Sequence, residues 1–159
     1  MNDLLQHIER VRERTRRVAA LIPPDKLEWT HRPGAMTLGD LVRHIAVTER
    51  DMWAENVSGR RSRYKTHGPE LAATLDEVIA LLDRNHAESM AIFKALTPEQ
   101  WTEPCETPGG AKLPVWKWVR AMVEHEIHHR GQLYLMLSMI GVQTPPIFGL
   151  TSEEVRQKA

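Results

Sequence analysis

The sequence predicts an all-α protein: a four-helix bundle with long crossover connections and a short C-terminal helix. Three observations predict it. Apolar residues recur at three- and four-residue steps in four separate stretches, the pattern of amphipathic helices. Thr-x-x-acid signals precede three helical runs: Thr37 with Asp40, Thr74 with Glu77, and Thr151 with Glu154. Strand-like alternation is nearly absent, and the connectors are long and rich in Pro and Gly. The 159 residues show no repeat or internal boundary, so one domain over residues 1–159 is expected.

The first helix carries Leu4, Ile8, Val11, Thr15, Val18 and Ile22, and Pro23-Pro24 ends it. Arg12, Arg14, Arg16 and Arg17 along it read as a solvated face. The connector that follows has room for one short turn at Asp25 to Trp29, with Trp29 as a lid on the core. Thr37 then caps a second helix, whose stripe is Leu38, Leu41, Val42, Ile45, Thr48, Glu49 and Met52. His44 lies at the edge of that stripe, and Trp53 comes near its end. A polar, basic break, SGRRSRYKTHGPE, leads to the third helix. That helix carries Leu75, Val78, Leu81, Leu82, Met90, Phe93 and Leu96, with a polar middle at Asn85 and His86. Thr97-Pro98-Glu99 starts a turn that delivers Trp101, and Pro108-Gly109-Gly110 suits a hairpin tip.

The stretch from Pro114 to Gly141 reads as one long helix. Pro114 suits a first helical position and Gly141 a left-handed C-terminal turn. Its stripe is Val115, Trp118, Met122, His125, His129, Leu133, Met136 and Ile140. Two members are histidines four residues apart, and so lie on one face a turn apart. Two imidazoles so placed can hold one divalent ion at about 2.0–2.1 Å from each nitrogen. Such an ion wants a third ligand and leaves a position open. His44 is the leading third candidate, since it also sits beside an apolar stripe. His7, His31, His67 and His86 fall on polar faces or in loops, where solvated histidine is expected. His128 flanks the stripe, and spacing leaves open a site built from His125 and His128 (i, i+3).

Composition bounds the function. Lys+Arg and Asp+Glu both number 21, for a formal net charge of +0, which does not suggest nucleic acid or an anionic membrane as partner. Cys105 is alone, so no intrachain disulfide is expected. The charged N-terminus lacks an apolar targeting core, and no run has the roughly 18 apolar residues of a membrane span. A cytoplasmic location is expected.

His125-Glu126-Ile127-His128-His129 matches the H-E-x-x-H pattern, in which the Glu is a general base beside zinc. The extended pattern of one protease class wants a glycine and a third histidine where this chain has Gln132 and Leu135. No sheet is expected that could bind an extended peptide. A zinc peptidase is therefore a distant alternative, with Glu126 a weak catalytic candidate.

LEWTHRPGAMTLGDLVRHIAVTERDMW, HEIHHRGQLYLML and PPIFGLTSEEV, in that order, resemble the DinB-like family of metal-binding four-helix proteins, related to bacterial thiol S-transferases. The resemblance covers nearly the whole chain. In that family a histidine of the second helix joins two from an H-x-x-x-H-R-G-Q run on the fourth, and those positions match His44, His125 and His129. The resemblance implies a three-histidine site for zinc, nickel or iron, and frequent homodimers. Three neutral imidazoles leave the ion its double charge, so a water there is acidified towards a pKa of about 7, and a thiol is held as thiolate. Metal-dependent transfer of a low-molecular-weight thiol to an electrophilic small molecule, or a related hydrolysis, is one expectation. A non-catalytic metal-binding stress or interaction protein is the other. Asp40, Glu49 and Glu126 are candidates to orient ligands; Arg130 and Gln132 could line the site or tie helices together.

Overall fold

The computed structural model describes residues 2–159. Helix α1 spans Asn2–Ala19 and α2 spans Leu38–Thr48. A π-helical stretch, Glu49–Ala54, continues α2 into the short α3, Glu55–Val57. Helix α4 runs Leu75–Lys94, α5 runs Val115–Met139 and α6 runs Ser152–Lys158. Strands β1 (Pro104–Glu106) and β2 (Lys112–Pro114) pair antiparallel, with Cys105 opposite Leu113. Gly110, at φ 80°, makes the left-handed step of the hairpin tip that the Pro108-Gly109-Gly110 run suits.

The four long helices form the bundle. α1 packs on α4 and α5, and α2 packs on the same two. α1 and α2 are thus diagonal partners, and both the α1–α2 and α4–α5 connections cross the bundle. The polar pairs fix direction. Arg16–Asp83 and Lys94–Glu9 run α4 antiparallel to α1, while Asn85–Ala46 and Arg50–Glu88 run it parallel to α2. A parallel neighbour needs a long return, which the segment between α3 and α4 supplies.

The predicted capping boxes form at Thr37, Thr74 and Thr151, each Thr accepting from the backbone N–H three residues on. Gly141, at φ 78°, closes α5. Its N–H reaches Ser138 O at 3.1 Å, and Val142 N–H reaches Leu137 O at 3.0 Å, so the last carbonyls are satisfied. Some boundaries differ from expectation, and α4 ends at Lys94, short of Leu96. α1 stops at Ala19 and passes through tight turns to Ile22, which is still fully buried. Pro114 belongs to β2 and caps α5 from outside.

The core has two apolar clusters. One joins Val18, Leu41, Ile45, Leu82, Leu133 and Leu137; the other joins Ile8, Val11, Trp53, Phe93, Trp101 and Val119. Charge lies between them. Arg12, expected on a solvated face, is buried at 4% exposure and pairs with both Glu49 and Glu126, the latter at 3.0 Å. His86, also expected in solvent, is 8% exposed, with Nδ1 at 2.9 Å from Glu49 and Nε2 at 3.2 Å from Glu9. Arg130 donates to Val11 O at 3.2 Å. Removing one partner from such a buried set strands a charge, at a cost of about 3–5 kcal/mol.

This layer also turns α5. Its buried line runs through Val119, Met122, Val123, Glu126, Arg130, Leu133 and Leu137. His125 and His129, expected on the core stripe, flank that line instead and are half-buried. Glu126, paired with Arg12, takes the inward position on this line together with the apolar residues above and below it. Among the described residues, no helix is long and apolar enough to cross a membrane.

His86 yields a pH prediction. Burial alone would lower its pKa, but the hydrogen bond and charge of Glu49 outweigh burial and raise it. Its charged form therefore contributes stability that is fully present below the unfolded value of about 6.5 and is lost as pH rises through the raised folded value. In urea unfolding, the stability gap between the parent and His86→Gln should be widest at acid pH and narrow above neutrality. A gap that widens with rising pH contradicts the pairing.

Candidate metal centre

Three side chains converge beside the charged layer. His44 comes from the middle of α2, and His125 and His129 come from successive turns of α5. Because α2 packs against α5, the edge histidine of one helix meets the edge pair of the other. The Nε2 atom of His125 lies 3.1 Å from that of His44 and 3.0 Å from that of His129. A ligand nitrogen from each of the three lies within 4.8 Å of the others. No other such group of three metal-ligating side chains occurs among the described residues.

The far nitrogens are also engaged. His129 Nδ1 lies 2.7 Å from Gln132 Oε1, an oxygen that only accepts. With that oxygen accepting, the His129 proton sits on Nδ1 and its Nε2 presents a lone pair. His44 Nδ1 lies 3.1 Å from the Tyr64 hydroxyl, which in turn lies 2.6 Å from His67 Nδ1. Partners of this kind fix the tautomer and ring orientation of metal-binding histidines. Arg130, by contrast, ties α5 to α1 through Val11 O.

Burial, first, and then mutual repulsion keep the rings neutral. Desolvation and the neighbouring His129 and His67 lower the His44 pKa to about 4. Desolvation with His129, His44 and His128 lowers His125 to about 3. Burial also lowers His129, against the opposing bond to Gln132. Neutral imidazoles at pH 7 are the form that ligates.

These residues fit a divalent ion. Tetrahedral zinc at about 2.0–2.1 Å would set its nitrogens about 3.3 Å apart, so the two separations from His125, 3.1 and 3.0 Å, need to open by only a few tenths of an ångström. The donor set is three neutral nitrogens, which suits a first-row divalent transition metal. The walls are aromatic. The Trp53 ring lies 4.7 Å from His125, and Trp118 lies 5.3 Å from Trp53. A cleft of about 410 Å³ opens beside His129 and Gln132, bounded by Met36, Leu41, Met136 and Arg32.

The other sequence candidates fall elsewhere. Glu126 Oε2 pairs with Arg12, and Oε1 is buried without a partner, so this carboxylate belongs to the charged layer. Glu49 is held there too, with its pKa lowered by Arg12 and His86 against the opposing effect of burial. Asp40 caps α2 and pairs with Arg43 at 2.9 Å. His128 is exposed, its ring 5.0 Å from His129. His7 and His31 are exposed. Sequence reasoning missed Tyr64 and His67. Both lie in the irregular break before α4, where no periodicity signals a position. The only available signal was two ring residues three apart in an otherwise polar run.

The sequence profile of the DinB superfamily matches residues 7–133. The chain belongs to the DinB superfamily. Among solved structures, a DinB-like protein from Bacillus cereus aligns with TM-score 0.80 at 17% identity, over 92% of this chain and 96% of that one. YfiT from Bacillus subtilis, described as a probable metal-dependent hydrolase with an unusual four-helix bundle topology, aligns with TM-score 0.72 at 17% identity, over 89% and 88%. A mycothiol-dependent maleylpyruvate isomerase aligns with TM-score 0.66 at 16% identity, over 83% of this chain and 60% of the isomerase. At these identities the likeness carries the fold.

Replacing His44, His125 or His129 with Ala should weaken binding of added Zn²⁺ by more than the roughly 10–100-fold typical of an orienting residue. His128→Ala should change it little. Competition with a chromophoric chelator reads both. If His128→Ala abolishes binding while His129→Ala retains it, the ligand set is wrong.

Proposed function

We propose that this chain is a metal-dependent enzyme acting on small molecules: it transfers a low-molecular-weight thiol to an electrophile, or performs a related hydrolysis. The observation that carries the reading is the set of three converging Nε2 atoms with no fourth protein ligand in the group among the described residues. A site closed by four protein ligands would serve structure; three leave room for a reactant. A bound divalent ion supplies Lewis acidity there, lowering the pKa of water or a thiol and polarising an electrophile.

The chain's own residues do the rest. His44, His125 and His129 are held neutral by burial, so no proton competes for their lone pairs. Gln132 and Tyr64 fix ring orientation from behind. Trp53 packs beside His125, backed by Trp118, and limits water on that side. Two relatives support the chemistry, one described as a probable metal-dependent hydrolase and one as mycothiol-dependent. Cys105 is buried in β1 with its pKa raised by burial, which argues against a protein thiol nucleophile.

The test is turnover. Metal-loaded protein, given a panel of low-molecular-weight thiols and an aryl halide, should form thioether above background; a parallel ester panel reads hydrolysis. The activity should vanish on chelation and in His125→Ala. Stoichiometric metal with no turnover in either panel supports the rival, a non-catalytic metal-binding protein.

We also propose a homodimer and a cytoplasmic setting. Leu135 and Met139 on α5 are 62% and 56% exposed, and Phe148, Leu150 and Val155 are exposed nearby in sequence, an apolar set that a second copy would cover. Sedimentation at micromolar concentration should give twice the 18.2 kDa chain mass. A monomer that persists at that concentration refutes the dimer.

A further inference from the structure

Tyr64 stands between two imidazoles. Its oxygen lies 3.1 Å from His44 Nδ1 and 2.6 Å from His67 Nδ1. The His44 and His67 rings meet edge to face at 5.4 Å, and those of Tyr64 and His67 are nearly parallel, at 12°. All three side chains are half-buried. The segment that carries Tyr64 and His67 is itself anchored. Arg63 N–H donates to Asp51 O at 2.7 Å, and Tyr64 N–H donates to Ser62 Oγ at 3.2 Å.

A phenol hydroxyl has one proton. It can donate to one of the two Nδ1 atoms, and the other must then donate to it. With both rings neutral and both bonds made, one of the two histidines carries its proton on Nδ1 and the other on Nε2. The His44 Nε2 atom faces His125, and it can ligate only when it is bare. A ligating His44 therefore carries its proton on Nδ1 and donates it to Tyr64. Tyr64 then donates to His67 Nδ1, and the His67 proton is left on Nε2.

We propose that Tyr64 is a positioning residue that couples the tautomer of His44 to that of His67. In the metal-loaded protein it holds His67 as an Nε2–H hydrogen-bond donor beside the centre. That N–H has no protein acceptor among the described residues, so it is free to donate to an oxygen of a reactant that reaches it. The coupling rests on the three-histidine metal reading and assigns it two residues outside the ligand set. It also accounts for the uneven support of the ligands: Gln132 fixes the tautomer of His129 alone, whereas Tyr64 passes that of His44 on to a second ring.

The test uses the full chain without an affinity tag and Zn²⁺ as the probe. Tyr64→Phe keeps the ring and removes the hydroxyl, and should weaken zinc by about 10–100-fold. His67→Leu should weaken it less, and His67→Gln, whose side-chain oxygen can accept from Tyr64, should restore it. Thermal unfolding of the metal-free variants separates a folding defect from a binding one. Independently, long-range ¹H–¹⁵N spectra of the zinc-loaded parent should show His44 protonated on Nδ1 and His67 on Nε2, and Tyr64→Phe should lose the His67 preference. No zinc binding by the parent overturns the metal reading itself. Zinc binding with parental affinity in Tyr64→Phe, or His67 protonated on Nδ1 in the zinc form, overturns the coupling alone. A His67 nitrogen shifted by direct coordination also overturns it and makes His67 a ligand.

Discussion

The structure depends on Arg12 lying between Glu49 and Glu126. One guanidinium from α1 meets a carboxylate from α5 and one from the π-helical stretch that continues α2. A charge this deeply buried tolerates little displacement, because an unpaired ion in a core is costly. The layer therefore fixes the register of three helices at one level, and His86 brings in α4 through Glu49. Apolar packing above and below could accommodate small sliding; this layer cannot.

The site follows from that constraint. Glu126 turns inward to meet Arg12, and each residue along a helix rotates by about 100°. His125 thus points off the core line, and His129 sits one turn on at the same angle. Just past α2, Glu49 points in, and His44, five residues earlier, lies at the helix edge that meets α5. The charged layer and the triad are two faces of one arrangement: the first supplies rigidity, the second a half-buried cluster of neutral nitrogens. Partial burial is enough to keep the imidazoles unprotonated while leaving a side on which a reactant can approach.

Much of this was legible in the sequence. Periodicity and Thr caps gave the helices and their starts, because those signals are local. The i, i+4 spacing of His125 and His129 and the edge position of His44 singled out the residues that converge. The charged layer was not legible. Arg12 reads as one of several arginines on a polar face, and Glu49 and Glu126 read as interruptions, since only packing of distant helices pairs them. For the same reason apolar spacing alone puts the histidines on the α5 stripe, whereas the buried line runs through Glu126 and Arg130. The π-helical stretch Glu49–Ala54 has no sequence signal that we can identify. Tyr64 and His67 lie in a connector, where position is set by anchors such as Arg63 to Asp51.

The central claim is that one ion binds to nitrogens of His44, His125 and His129. X-ray absorption at the zinc edge of the zinc-loaded protein tests it most directly. The account predicts a first shell with three imidazole nitrogens at about 2.0–2.1 Å, showing their ring scattering, and one exchangeable oxygen ligand. A shell containing sulfur from Cys105, or fewer than three imidazoles, would contradict it.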